Sequence, residues 1–458
     1  MHRVDHHYSR VRVHADIGAT VPSPRVTKGS SSPFYQYPPE YVLSLADPGN
    51  YLNYIFAYSD LFPDLFIYIT AELSCIKGNL KGRGNIRGGK NSLMFTEELF
   101  DKGVALANLG KFDEAIACFD EILKFNPKNT EALYNKGVAL TGLELYEEAI
   151  IYYTQSLKIN PYNADALNNL GVAYAAIKKY EKAITYFDKV LRINPNHELV
   201  LINKGGALAK LKKYEEAVVF FDKVLRMHPD NADVIYNKGV TLANLARYAE
   251  AVACYDLVLA INPANTDSLN NKGVALAARE KYEEAVDCFD RVLSIHPGYL
   301  RALHNKGHAL ARLKKYDDAI ACYDRVLVFS PDNVDSLNNK GVALDEQKKY
   351  DESIACYNHI LRIIPDNPDA LNNKGVALVA LERYEEALVC YEHSLRSNPS
   401  DLLVLVNKGR ALARLKRYSE ALACFNSVLR VNPENMDARY NKGVALTALA
   451  TNEAVSSQ

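Results

Sequence analysis

The hydrophobic pattern of this chain is that of paired amphipathic helices. In Leu133–Pro161, apolar residues recur at helical spacing in two separate runs. Glu147 and Glu148 open the second run, Tyr146–Ile159, where the positive end of a helix dipole favours acidic side chains. Pro161 cannot continue that helix and therefore predicts its end. The stretch as a whole predicts one helix–turn–helix hairpin.

The same pattern returns along most of the chain at a fixed interval. Ten prolines are spaced 34 residues apart, without insertion or deletion: Pro127, Pro161, Pro195, Pro229, Pro263, Pro297, Pro331, Pro365, Pro399 and Pro433. A period of this length indicates a solenoid, in which each unit buries its apolar face against its neighbours. An extended scaffold of this kind favours binding as the function.

A glycine occupies the middle of the first run in every unit. The row comprises Gly103, Gly137, Gly171, Gly205, Gly239, Gly273, Gly307, Gly341, Gly375, Gly409 and Gly443. Each costs about 1 kcal/mol relative to alanine within a helix, so a steric need is expected. We expect the two helices to approach closely here, with the alanine of the second run, such as Ala285, as the small partner.

These residues resemble the tetratricopeptide repeat. One unit meets that family's signature with Gly273, Tyr282, Ala285, Phe289 and Pro297, and the other units repeat it. The usual leucine before the glycine is lysine in most units; we expect its stem to be buried and its charge to lie in water.

The resemblance implies an all-α fold, a right-handed superhelical solenoid of helix–turn–helix repeats with an irregular N-terminal segment. We expect ten repeats over residues 96–435 and a capping helix with a polar tail over 436–458. Residues 1–95 read as a disordered head and a glycine- and arginine-rich linker. Met94 precedes the first repeat, so translation starting there, or a dispensable head, is a further expectation.

Composition and charge add few constraints on the partner. The formal net charge is −1, which suggests neither a nucleic-acid nor a membrane ligand. The apolar segment 51–76 is interrupted by acids and proline and is too short for a span of about 20 residues. Seven cysteines share one position of the repeat, so we expect buried structural thiols in a reducing compartment and a cytoplasmic protein. The oligomeric state is left open.

Catalytic and cofactor-binding patterns are weak. Gly84, Gly89 and Lys90 nearly form a phosphate loop, but Asn91 stands where a hydroxyl should hold magnesium. A flexible linker is the preferred interpretation of this segment, and RNA binding through its arginines is the remaining one. One-per-repeat rows do not converge on a point, so we expect no enzyme activity, metal or cofactor.

An asparagine lies two residues before the glycine in ten units. The row is Asn135, Asn169, Asn203, Asn237, Asn271, Asn305, Asn339, Asn373, Asn407 and Asn441. An amide can donate to and accept from a peptide bond. Arrays that resemble this one use such an asparagine to hold an extended peptide in the concave groove. A bond to neighbouring protein groups is the alternative interpretation, and both can hold.

An acid usually lies four residues before each of these asparagines, as at Asp267 and Asp335. Complementarity with the helix dipole accounts for this row. An acidic rail that favours basic ligands is the alternative.

One unit departs from its siblings in its first helix. Arg301, His304, His308 and Arg312 share one helix face, and a smaller echo occurs at Arg410 and Arg414. Compensation of neighbouring acids explains Arg301 alone. The hypothesis for the six residues is recognition of an acidic group on a ligand, with binding that weakens in salt and tightens as pH falls through about 6.5.

The most probable function from sequence is a non-catalytic protein-interaction scaffold that binds an extended peptide or partner protein in the concave groove. The alternative is a substrate-recognition or regulatory subunit of an enzyme complex, for example one with a glycosyltransferase. The catalytic domain would then come from another chain.

Overall fold

The computed structural model describes the backbone of residues 90–456 and the side chains of 96–451. All regular elements within that range are helices, and they alternate between a first and a second helix of each hairpin. The first helices are α1 Lys90–Asn108, α3 Thr130–Gly142, α5 Ala164–Ala176, α7 Glu198–Lys210, α9 Ala232–Asn244, α11 Thr266–Ala278, α13 Leu300–Arg312, α15 Val334–Glu346, α17 Pro368–Ala380, α19 Leu402–Arg414 and α21 Met436–Ser456. The second helices are α2 Phe112–Phe125, α4 Tyr146–Ile159, α6 Tyr180–Ile193, α8 Tyr214–Met227, α10 Tyr248–Ile261, α12 Tyr282–Ile295, α14 Tyr316–Phe329, α16 Tyr350–Ile363, α18 Tyr384–Ser397 and α20 Tyr418–Val431. The predicted all-α hairpin fold is confirmed.

Caps and turns fix where the helices begin and end. An asparagine before most first helices accepts a hydrogen bond from the backbone N–H three residues on, as Asn129 does from Ala132 at 3.0 Å. Between the two helices of a hairpin, one residue adopts a left-handed conformation, such as Lys348 with φ 61°. In the first hairpin this residue is Gly110, the type that adopts such a backbone without strain.

The glycine row faces an aromatic ring, not the expected alanine. A Cβ added at Gly375 would lie 2.5 Å from Cε1 of Tyr391, which is fully buried. The same clash occurs between Gly171 and Phe187. The helices therefore do approach closely at the glycine, but because the ring of the second helix lies across the first.

The described residues form two compact units, with the boundary between Ala275 and Leu276 inside α11. Within each unit, first helices of successive hairpins contact one another, and no pair of second helices does so to the same extent in the described part. The first helices therefore line the more closely spaced side of each stack. We call this side the first-helix face.

The seven cysteines in the described part of the chain are free thiols, and six of them are buried, as the sequence predicted. Burial raises the pKa of Cys254, Cys322 and Cys390, which keeps these thiols protonated.

The last helix is longer than the sequence predicted. The eleventh first helix was expected to end at Leu449, but α21 continues to Ser456. No glycine or proline follows Leu449, and Thr451 bonds back to the Thr447 carbonyl at 3.0 Å, so the helical ladder continues.

Several expectations concern residues outside the described range. These are the disordered head 1–89, the apolar segment 51–76, the incomplete phosphate loop before Lys90 and Cys75.

Candidate functional site

The asparagine row lies on the first-helix face and links successive repeats. In six units its Nδ2 donates to, or lies within hydrogen-bond distance of, a side chain 35 residues earlier. The contacts are Asn169 to Tyr134 Oη (3.1 Å), Asn203 to Asn168 Oδ1 (3.2 Å), Asn271 to Tyr236 Oη (2.9 Å), Asn339 to His304 Nε2 (3.4 Å), Asn373 to Asn338 Oδ1 (3.1 Å) and Asn407 to Asn372 Oδ1 (3.0 Å). We call this series the amide ladder.

The amide ladder is interrupted where the earlier side chain cannot accept a hydrogen bond. Asn135 and Asn441 instead donate to backbone carbonyls of their own helices, at 2.9 and 2.7 Å. Asn237 follows a repeat with Ile202 at the acceptor place, and its amide has no hydrogen bond to any described residue. Asn237 is half-buried, so its amide remains accessible from the first-helix face.

The lysine before the glycine is paired with an acid, contrary to the expectation of a solvated charge. Nζ of Lys306 lies 2.5 Å from Oδ1 of Asp290, which belongs to the preceding second helix. The same pair recurs between each such lysine and an acid 16 residues earlier: Lys136–Asp120, Lys204–Asp188, Lys238–Asp222, Lys272–Asp256, Lys340–Asp324 and Lys408–Glu392. The side chain of Lys136 is only 9% exposed, so an unpaired charge there would be costly.

The chain contains a signal for these pairs. The one full repeat without the lysine has Leu170, and the place 16 residues earlier is Thr154 instead of an acid. This joint replacement was overlooked in the sequence pattern.

The acid row lies in the first turn of the first helices, as the dipole interpretation requires, for example at Glu131 and Asp335. Burial raises the pKa of Asp233 to about 7, and no described group pairs with it. Asp437 is paired with Arg410 across two repeats at 3.2 Å.

The structure places Arg301, His304, His308 and Arg312 on α13, on the first-helix face. The two arginines are exposed and the two histidines are half-buried. The Arg312 guanidinium lies over the ring of Tyr282, 5.1 Å from its centroid. This contact holds the charge at the edge of the face.

The histidines are held neutral. Nδ1 of His304 lies 2.9 Å from Ser336 Oγ, and the Asn339 amide lies 3.4 Å from its Nε2. Burial lowers the pKa of His304, and it lowers the pKa of His308 to about 4, with a further contribution from the nearby His304 and Arg312. The expected change in binding near pH 6.5 therefore does not follow from this structure, because neither histidine becomes charged there.

Arg414 repeats the arrangement of Arg312 three hairpins later. Its Nε donates to Tyr384 Oη at 3.2 Å, and its guanidinium lies 5.8 Å from the Tyr384 ring centroid. The supporting tyrosines were not singled out in the sequence, because every second helix begins with an aromatic residue and nothing marks these two.

Metal and membrane sites were searched over the described residues. No group of three His, Cys, Asp or Glu side chains there is placed to hold a metal ion. No helix in that part of the chain is both long and apolar enough to cross a bilayer.

Solved structures with similar helical repeats are numerous. The structure of YrrB, described as a tetratricopeptide repeat protein with an unusual peptide-binding site, is 24% identical over 41% of this chain and 97% of its own, with a TM-score of 0.37. A tetratricopeptide repeat protein from Parabacteroides merdae is 18% identical, with 55% and 99% coverage and a TM-score of 0.44. The Cut9–Hcn1 complex of the APC/C is 15% identical, with 84% and 83% coverage and a TM-score of 0.43. No curated protein matches the chain.

Family models described as tetratricopeptide repeat match residues 164–197 and 368–401, residues 100–164, 304–368 and 406–451, residues 264–327, and residues 208–269. These matches extend over most of the chain and coincide with the hairpins described above. With its glycine row, its aromatic partners and its fixed period, the chain belongs to the tetratricopeptide repeat family.

Proposed function

We propose that this protein is a non-catalytic scaffold that holds an extended polypeptide along the first-helix face. The observation that carries the proposal is the row of asparagine amides at one place in each hairpin. A peptide bond offers one donor and one acceptor, and an amide side chain can satisfy both. Regularly spaced amides therefore suit a backbone whose sequence varies.

The amide ladder supports this role without requiring every asparagine to touch the ligand. Asn373, bonded to Asn338, orients the face, whereas Asn237 keeps its amide uncommitted. A ligand backbone would bond to Asn237 without breaking a contact within the protein. The two asparagines therefore separate ligand binding from stability.

Binding of short unstructured peptides to the full chain, measured by fluorescence anisotropy, tests the proposal. Asn237→Ala should weaken the peptides that bind by about threefold to tenfold, the net effect of losing one hydrogen bond. Its thermal unfolding should match that of the unmodified chain. Asn373→Ala is the matched control and should lower thermal stability, because the acceptor of Asn338 then loses its partner.

Unchanged affinity in Asn237→Ala, for every peptide that binds, would refute the direct role of the row. The scaffold proposal itself fails if no peptide and no partner protein competes for the first-helix face.

We also propose that Arg301 and Arg312 bind an acidic group of the ligand, with His304 and His308 as neutral hydrogen-bonding neighbours. Arg410 and Arg414 would form a second such place. Salt should weaken the interaction, because both Arg301 and Arg312 are exposed. Arg301→Ala with Arg312→Ala should reduce both the affinity for an acidic peptide and its salt dependence. If neither changes, α13 does not read an acidic group.

A further inference from the structure

The departures from the repeat are themselves periodic, with an interval of three hairpins. Every third first helix replaces the acid of its first turn: Leu199, Arg301 and Leu403. The same helices replace a valine that the other eight first helices share: Gly206, His308 and Arg410. They alone carry a base near the end of the helix: Lys210, Arg312 and Arg414. Each set is spaced by 102 residues, so the chain has a second period of three hairpins.

The second period changes the charge of the first-helix face. In the unit Leu276–Gln458, α13 and α19 lack the first-turn acid and present arginines. The two intervening first helices, α15 and α17, keep Asp335 and Asp369 and have no base at these places. The face therefore alternates between two basic bands and an acidic interval.

The terminal arginine of each band is held by the same contact. Arg312 lies over Tyr282, and Arg414 lies over Tyr384 and bonds to its hydroxyl at 3.2 Å. Stacking on an aromatic ring reduces the side-chain freedom that a ligand would otherwise have to remove. Both guanidinium groups are exposed, so their N–H groups remain accessible.

We propose that the two bands bind one extended polypeptide that carries two separated acidic clusters. The inference rests on the proposed function and specifies its ligand. Adjacent packed helices are roughly 8–10 Å apart, so three steps span roughly 24–30 Å. An extended chain covers about 3.3–3.6 Å per residue, which places the clusters about eight residues apart. Asp335 and Asp369 would repel a polyanion of uniform charge, so a nucleic acid fits this face less well than a polypeptide.

The test uses two fluorescein-labelled peptides of identical composition, each with two Glu-Glu pairs in a glycine- and serine-rich chain. In one the pairs are about eight residues apart, matching the extended reach; in the other they are adjacent. Full-length protein should bind the spaced peptide at least about fivefold more tightly, because the second contact becomes intramolecular. Arg312→Ala with Arg414→Ala should abolish that preference.

Arg362→Ala with Arg430→Ala is the control, because it removes two exposed arginines from second helices. It should keep the preference for the spaced peptide. Equal binding of the two peptides, or loss of the preference in the control, would overturn the proposal. So would tighter binding of single-stranded oligo-dT that depends on the same two arginines.

A neutral peptide separates this inference from the proposed function. If the neutral peptide binds and Asn237→Ala weakens it, but spacing has no effect, the scaffold stands and the register is wrong. If no peptide binds, both proposals fail.

Discussion

At the scale of single residues, one buried carboxyl sets a hairpin apart from its siblings. Asp345 in α15 is 5% exposed and stands where most other first helices have alanine. It accepts hydrogen bonds from Ser353 Oγ and from Tyr357 Oη, the latter at 2.7 Å. Ser353 also replaces an alanine, so the two departures occur together. Burial raises the pKa of Asp345 to about 6 despite these bonds.

The raised pKa predicts that this hairpin is more stable in acid. A protonated Asp345 stabilises the fold fully below pH 4, and that contribution is lost as pH rises through about 6. Asp345→Asn should therefore stabilise α15 and α16 at pH 8 by on the order of 2 kcal/mol and have little effect at pH 4. Hydrogen exchange of the two helices measures this.

Asp351→Asn is the control, since Asp351 is exposed in the same hairpin. Its effect on exchange should be small at both pH values. A stabilisation by Asp345→Asn that is equal at pH 4 and pH 8 would contradict a titrating Asp345.

Two glycines of the same row should respond in opposite directions to alanine. At Gly375 the new methyl group meets the ring of Tyr391, and overpacking costs about 1–3 kcal/mol. At Gly443 no atom lies within 4 Å, so the gain in helix propensity of about 1 kcal/mol is unopposed. Gly375→Ala should lower the urea midpoint and Gly443→Ala should raise it. Destabilisation by both would show that the aromatic ring is not the cause.

At the scale of helices, the lysine–acid pairs join each second helix to the next first helix. The natural replacement of one pair by Leu170 and Thr154 indicates that the two places depend on each other. Asp290 is half-exposed, so the pair is screened by solvent and its coupling should be modest.

A double-mutant cycle tests this dependence. Lys306→Leu alone and Asp290→Thr alone should each destabilise the hairpin, because each leaves the partner charge unpaired. The double variant should be nearly as stable as the unmodified chain, with a coupling of about 0.5–1 kcal/mol that declines in salt. Strictly additive single effects would show that the pair contributes nothing.

At the scale of the whole molecule, stability is a sum of hairpins and their interfaces, so unfolding should be local. Gly205→Leu forces a larger side chain against Phe221, whose Cε1 is 2.7 Å from the place of a Cβ. Hydrogen exchange should accelerate in α7 and α8 and remain slow in the unit Leu276–Gln458. Uniform acceleration through α20 would contradict local unfolding and show that the array opens as one.

The sequence by itself determined the repeating architecture. The 34-residue period, the proline after each second helix and the apolar spacing predicted the hairpins, because they depend on contacts within one helix or one hairpin. The glycine row predicted close approach of two helices for the same reason. The face that carries Asn271 and Arg312 followed from helical geometry alone.

Only the tertiary structure decided what each side chain meets across a repeat interface. The lysine before Gly307 is paired with Asp290, the asparagine row bonds 35 residues back, and the ring of Tyr391 rather than an alanine occupies the space beside Gly375. The low pKa of His308 is likewise a product of burial. Periodicity places a residue on a face, but the choice among neighbours within reach, and the water excluded from them, depend on how adjacent hairpins pack.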